Sequence, residues 1–147
     1  ETSIAFLRDF IYCQQSECTT TLDLLAVDLY TGKGCFTKCG ASPSYVLRGT
    51  NSYRITSTSL PLGSSREADA ETVTVRLKPG DTVIMTSDGA ARALAGSLPS
   101  KLSVESLDEN APAAQEIADA IIGQKENDAE NDDRSVIVIQ FKDSGNS

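Results

Sequence analysis

This sequence predicts an α+β domain: an antiparallel-rich sheet with its helices segregated to one side or end. Three observations carry that reading. Apolar, β-branched runs come in pairs divided by turn residues, as in "TLDLLAVDLYTGKGCFTKCG" at residues 21–40. Few segments place their apolar residues at helical spacing. The 147 residues, 39% hydrophobic and 23% charged, have the profile of one soluble domain with a core of ordinary size.

The elements follow in order. "IAFLRDFIY" at 4–12 reads as an amphipathic helix expected to pack on a sheet. Residues 21–40 then give a strand, a Thr-Gly-Lys-Gly turn at 31–34 and a second strand, a hairpin signature. "SYVLRG" and "YRITS" repeat the pattern around a turn from Gly49 to Ser52. "TVTVRLKPGDTVIMTSDG" at 72–89 predicts a third hairpin, with Pro79 and Gly80 at turn-compatible places. After Gly89, "AARALAG" has the length for one or two helical turns. "APAAQEIADAIIGQK" at 111–125 predicts a helix capped by Asn110, with Ala114, Ile117, Ala118, Ile121 and Ile122 on its apolar face. Residues 96–109 read as a polar connection, and 134–140 as a β-branched final strand buried on at least one face. The tail from Lys142 is expected to be frayed.

Composition removes several function classes. A net charge of −8 argues against binding nucleic acid or anionic membranes non-specifically, since both require a basic field. Cations or basic partners suit it better. No apolar run is long enough to cross a bilayer, and no signal-peptide pattern appears, so a cytoplasmic location is expected. A start at "ETSIAFL", without Met, reads as a piece of something longer, whose other domains could include a membrane anchor. Histidine is absent, which removes the commonest general base and transition-metal ligand. Cys13 with Cys18 and Cys35 with Cys39 form C-x4-C and C-x3-C pairs that invite a zinc reading, but Cys35 and Cys39 lie on one face of an apparent strand rather than in a tight turn, and a domain of this size needs no disulfide staples. Reduced thiols are expected, with Cys35 and Cys39 as small hydrophobes on one strand face.

Chemistry concentrates at two places where an Asp stands at the lip of a strand. One is "TVIMTSDGA", where Asp88 ends a strand and Gly89 is expected to let the backbone turn sharply. The other is "NDAENDDRSVIV", where Asp128, Glu130, Asp132 and Asp133 crowd ahead of the last strand. Like charge so placed is costly unless water or a cation compensates it. Were the two strands antiparallel neighbours, Asp88 and Asp132 would meet, and magnesium or manganese needs only a few such carboxylates plus waters. The competing reading is an Asp-Gly turn beside a solvated acidic loop. An EF-hand beginning at Asp128 fails, because its sixth position is Asp133 rather than Gly and its twelfth is Ile139 rather than Glu.

Taken together, "TLDLLAVDLYTGKGCFTKCGASPSYVLRG", "SLPLG", "RLKPGDTVIMTSDGA" and "NDDRSVIVIQF" closely resemble the catalytic domain of the stage II sporulation protein E family, metal-dependent type-2C (PPM) serine/threonine phosphatases. The likeness spans most of residues 4–141. It implies an antiparallel β-sheet sandwich flanked by helices, with a dinuclear manganese or magnesium centre at one edge serving phosphoserine or phosphothreonine hydrolysis. It assigns the metal-ligand and catalytic positions to Asp88 and Asp132, with Gly89 adjacent and Asp133 in a neighbouring, usually non-ligating place. Gly40–Pro43 and Leu60–Gly63 become framework turns near the site. The implied substrate is a phosphoserine on an anti-anti-sigma-like regulatory protein.

One departure qualifies the resemblance. Family members carry an earlier Asp-Gly block whose Asp bridges both metals, and here Asp88-Gly89 is the sole Asp-Gly. Asp9 falls in the first helix, Asp23 inside a strand and Asp28 at a strand end, so none substitutes. The resemblance therefore implies that residues 1–147 are the C-terminal part of one phosphatase catalytic domain, inactive alone and prone to pair with a second copy through exposed sheet. A non-catalytic phosphatase-like binding lobe is the alternative.

Overall fold

The computed structural model describes residues 2–13, 18–66, 68–94, 113–123 and 132–143. The chain forms two compact units, Glu1–Ala41 with Thr56–Arg76, and Ser42–Ile55 with Leu77–Ser147. Each is built on its own antiparallel sheet beside helical segments, in keeping with the α+β class.

The first unit holds helix α1 (Thr2–Cys13) and strands β1 (Leu22–Asp28), β2 (Lys33–Cys39) and β5 (Glu71–Arg76), in the order β1-β2-β5. The predicted β1–β2 hairpin forms with Asp28 opposite Lys33. Its turn is fixed locally: the Asp28 carboxylate accepts the amides of Tyr30 and Thr31 at 2.9 and 3.3 Å, and Gly32 takes φ 70°. Hydrogen bonds from the Thr31 hydroxyl and from those two amides hold the Asp28 pKa below its ordinary value.

One row across this sheet sets Asp23, Lys38 and Glu71 side by side. Lys38 is completely buried and ion-pairs with Asp23 at 2.5 Å. The next row on the same face, Leu25–Phe36–Val73, is apolar, with Phe36 fully buried. Cys39 is buried and Cys35 partly so, as expected of small hydrophobes, and all four cysteines are free thiols. The two framework turns touch. Gly40 donates its amide to the Ser59 carbonyl at 3.0 Å, and Pro61 approaches so closely that a Cβ at position 40 would lie 2.6 Å from it.

Helix α1 forms, yet Phe6, Leu7 and Phe10 are exposed rather than laid on a sheet. Its contact is instead with the turn at Gly63, where a Cβ would meet Ile11 at 2.5 Å, and Arg66 stacks over Tyr12. Helical spacing fixes which residues share a stripe, not what covers it.

The second unit orders its strands β4-β3-β6-β7, all antiparallel: β3 (Ser44–Arg48), β4 (Asn51–Ile55), β6 (Thr82–Thr86) and β7 (Val136–Gln140). Every residue of β6 is buried, as befits a central strand. Helices α2 (Asp88–Leu94) and α3 (Ala114–Ile122) supply Ala90, Leu94, Ile117 and Ile121 to a core completed by Tyr45, Leu47 and Ile84. The observed cap of α3 is Ala113, whose amide donates to the Glu116 carboxylate at 3.1 Å. Asn110 and the connection at 96–109 lie outside the described residues, as do the tail beyond Asp143 and the acidic pair Asp128 and Glu130.

The third predicted hairpin is corrected. The Lys-Pro-Gly-Asp turn exists, with Gly80 at φ 88°, but β5 and β6 belong to different sheets. The outgoing chain is captured elsewhere. Gly80 donates to the Phe141 carbonyl at 2.7 Å, Phe141 donates back to Asp81 at 2.9 Å, and the buried Asp81 carboxylate accepts two bonds from Arg48 on β3. Turn residues specify a reversal of direction, while the neighbouring strand is chosen by tertiary pairing.

Candidate functional site

The site begins with a register. Strands β6 and β7 pair antiparallel with Thr86 opposite Val136, so the end of one lies beside the start of the other. Ser87 prolongs the ladder. Its amide donates to the Ser135 carbonyl at 2.9 Å, its hydroxyl accepts the Ser135 amide at 2.9 Å, and the same hydroxyl donates to the Asp133 carbonyl at 3.2 Å. Ser87 also caps α2, since its carbonyl accepts the Ala91 amide at 2.8 Å. One residue thus closes the strand pair and opens the helix.

The clasp sets the backbone at Asp132 and Asp133 against Gly89, the residue that follows Asp88. A Cβ built on Gly89 would sit 2.7 Å from the Asp133 carbonyl oxygen and 3.3 Å from the Asp132 Cβ. The loop carrying Asp132 therefore rests on the residue that follows Asp88. This corrects the reason for the glycine: Gly89 is not among the glycines with positive φ, and its missing side chain admits the Asp132–Asp133 backbone.

Both carboxylates face water and both are held. The Ser42 hydroxyl donates to Asp88 Oδ1 at 2.6 Å, and the loop bearing Ser42 is tied by Thr86, whose hydroxyl donates to the Pro43 carbonyl at 2.9 Å. Asp132 accepts its neighbour Asp133's amide on Oδ1 at 3.0 Å, while its Oδ2 pairs with the Arg92 guanidinium. Ser42, Ser87 and Arg92 were not singled out from the sequence. Ser87 carried a usable signal, a serine immediately before a helix start; the other two are contacts across the fold.

The donor set can be tested against a divalent cation. Two solvent-facing carboxylates carried on neighbouring segments suit a small hard ion that keeps several waters. Among the described residues no three Asp, Glu, Cys or His side chains gather as a cation cage. The lip therefore fits a share in a metal site, and a bridged pair of ions requires a further carboxylate.

The family profile described as Stage II sporulation protein E (SpoIIE) matches residues 4–142. The curated stage II sporulation protein E of Bacillus subtilis (strain 168) is 41% identical over 73 residues, half of this chain and 9% of that protein's length. Its solved, manganese-presoaked phosphatase domain superposes with a TM-score of 0.64 at 27% identity, over 96% of this chain and 65% of that one. The PPM Ser-Thr phosphatase MsPP of Mycobacterium smegmatis, 16% identical, shares the fold with a TM-score of 0.62 over 95% of this chain and 72% of that one. This chain belongs to the stage II sporulation protein E family and carries the mixed, antiparallel-sheet fold of its PP2C-type phosphatase domain.

Proposed function

We propose that Asp88 and Asp132 are metal ligands of a phosphoprotein serine/threonine phosphatase, acting on a phosphoserine of an anti-anti-sigma-type regulatory protein. The supporting observation is the contact at Gly89, which sets Asp132 against the residue next to Asp88 although the two stand far apart in sequence. The family is metal-dependent, and a relative's domain was presoaked with manganese, which makes manganese or magnesium the proposed ion. When bound, a pair of such ions supplies a water of lowered pKa and neutralises charge on the phosphoryl group.

This chain's own residues prepare the lip for that chemistry. Ser42 orients the Asp88 carboxylate, and the Ser87 clasp fixes the Asp132 loop over Gly89. Asp133 contributes its backbone to the clasp and is not proposed as a ligand. Residues 1–147 offer no second Asp-Gly to bridge two ions, so this chain alone is proposed to be inactive, its activity belonging to a complete catalytic domain. Leu24 on β1 and Ile137 on β7 are exposed, and a second copy is proposed to pair through such exposed sheet.

The test is phosphate release from the phosphoserine form of an anti-anti-sigma-type protein by the full-length gene product with manganese. Outer-shell partners of metal ligands are worth about 10–100-fold in activity or metal affinity, so Asp88→Asn and Asp132→Asn are expected to lose more than that. Unchanged turnover in either variant would remove the ligand assignment. Binding of the phosphoprotein without turnover by the full-length product would favour a non-catalytic lobe.

A further inference from the structure

We infer that Arg92 is a built-in competitor of the divalent cation, an internal positive charge that occupies Asp132 and that the ion must displace in order to bind. This rests on the proposal that Asp88 and Asp132 are ligands. Arg92 stands four residues beyond Asp88 on α2, one helical turn along the same face. From there its guanidinium reaches across to Asp132 Oδ2.

The two carboxylates of the lip are held by chemically different partners. Asp88 is held by a hydroxyl, Ser42, which is neutral and can keep one lone pair of Oδ1 while the carboxylate turns its others to an ion. Asp132 is held by a guanidinium, which cannot lose its proton at any pH the fold survives. A divalent ion approaching Asp132 Oδ2 therefore meets a fixed positive charge already in that place. Asp132 Oδ1 is engaged as well, accepting the Asp133 amide at 3.0 Å, so it offers an ion only its remaining lone pair. Ion and guanidinium compete for Oδ2, and the apparent metal affinity is lowered by the strength of the ion pair.

That pair is replaceable. Both partners are about half exposed, 50% for Arg92 and 47% for Asp132, and an exposed pair is weak enough for a divalent ion to win. Arg92 then acts as a placeholder: it neutralises Asp132 before the ion arrives and swings away afterwards.

The experiment is a manganese titration of the isotope-labelled chain by NMR, reading paramagnetic broadening of the Gly89 and Asp133 amide signals. Wild type is compared with Arg92→Gln, Arg134→Gln and Asp132→Asn. Arg134 provides the control, a nearby charge whose guanidinium donates to the Ile122 carbonyl at 3.3 Å. Arg92→Gln is expected to tighten manganese binding by about two- to fivefold, the range set by exposed ion-pair strengths, and Arg134→Gln by less. A magnesium titration should shift the Arg92 side-chain NH resonance of the wild type as the guanidinium is released. Equal or weaker binding in Arg92→Gln, with broadening still abolished by Asp132→Asn, overturns the competitor role and leaves the ligand assignment standing. Broadening absent from these amides in the wild type, or unaffected by Asp132→Asn, overturns both.

Discussion

Asp23–Lys38 and Asp132–Arg92 are the same chemistry in opposite surroundings. Lys38 is fully buried within its sheet row, and its carboxylate partner is only 16% exposed. Arg92 and Asp132 are each about half in water. A buried ion has little water to turn to, so removing one member leaves the other in a poor solvent. An exposed ion can exchange its partner for water or for another cation at little cost. The difference suits an architectural role for the aspartate within strand β1 and the cation-binding role proposed for the one at the β6–β7 lip.

The strongest way to break this comparison is at Lys38. Lys38→Met is expected to destabilise the chain by about 3–5 kcal/mol, the usual cost of leaving a buried charge uncompensated. The paired change Lys38→Met with Asp23→Leu should recover most of that loss, read by denaturant midpoint. A single variant as stable as wild type would show that the pair contributes nothing to the fold.

Gly89→Ala comes next. Its Cβ would lie 2.7 Å from the Asp133 carbonyl, and overpacking of this kind costs about 1–3 kcal/mol. It should also push the Asp132 loop away from Asp88, so manganese broadening is expected to weaken along with stability. Stability retained together with full metal response would mean that the lip does not depend on this approach.

Arg92→Gln should change stability by less than about 1 kcal/mol, as for exposed ion pairs generally. Set against Lys38→Met, it sharpens the contrast between a structural and an exchangeable pair. A loss as large as that at Lys38 would erase the distinction.

The smallest effect is on the acid limb. Glu71 accepts the Thr58 hydroxyl at 2.6 Å and the Thr58 amide at 3.2 Å, which hold its pKa below its ordinary 4.5. A depressed carboxylate stabilises the fold above its unfolded pKa, and that contribution fades as pH falls through the lowered folded value. Thr58→Val should remove the hydroxyl's part, so the difference from wild type is expected at neutral pH and to shrink below about pH 4. An unchanged pH profile would show that this bond carries no linkage.

How far the sequence could be read follows from which interactions are local. The β1–β2 and β3–β4 hairpins were legible because their turns lie between paired strands, and α3 because its apolar stripe repeats over several turns. The separation of β6 from β5 was not, because Asp81 is recruited by Arg48 and Phe141, residues distant in sequence. The lip divides in the same way. An Asp at a strand end is visible in the sequence, and β6 and β7 are the antiparallel neighbours on which the expected meeting of Asp88 with Asp132 was conditioned. The Ser42 and Arg92 contacts arise from loop and helix placement, which no local pattern encodes.

The central claim, that Asp88 and Asp132 share a divalent ion, is met most directly by anomalous diffraction at the manganese edge from crystals of the chain soaked in manganese. The account predicts an anomalous peak at the β6–β7 lip with an oxygen of each carboxylate at about 2.1 Å and the Arg92 guanidinium withdrawn from Asp132. A soaked crystal with no peak there, or with a peak ligated by only one of the two aspartates, would contradict it.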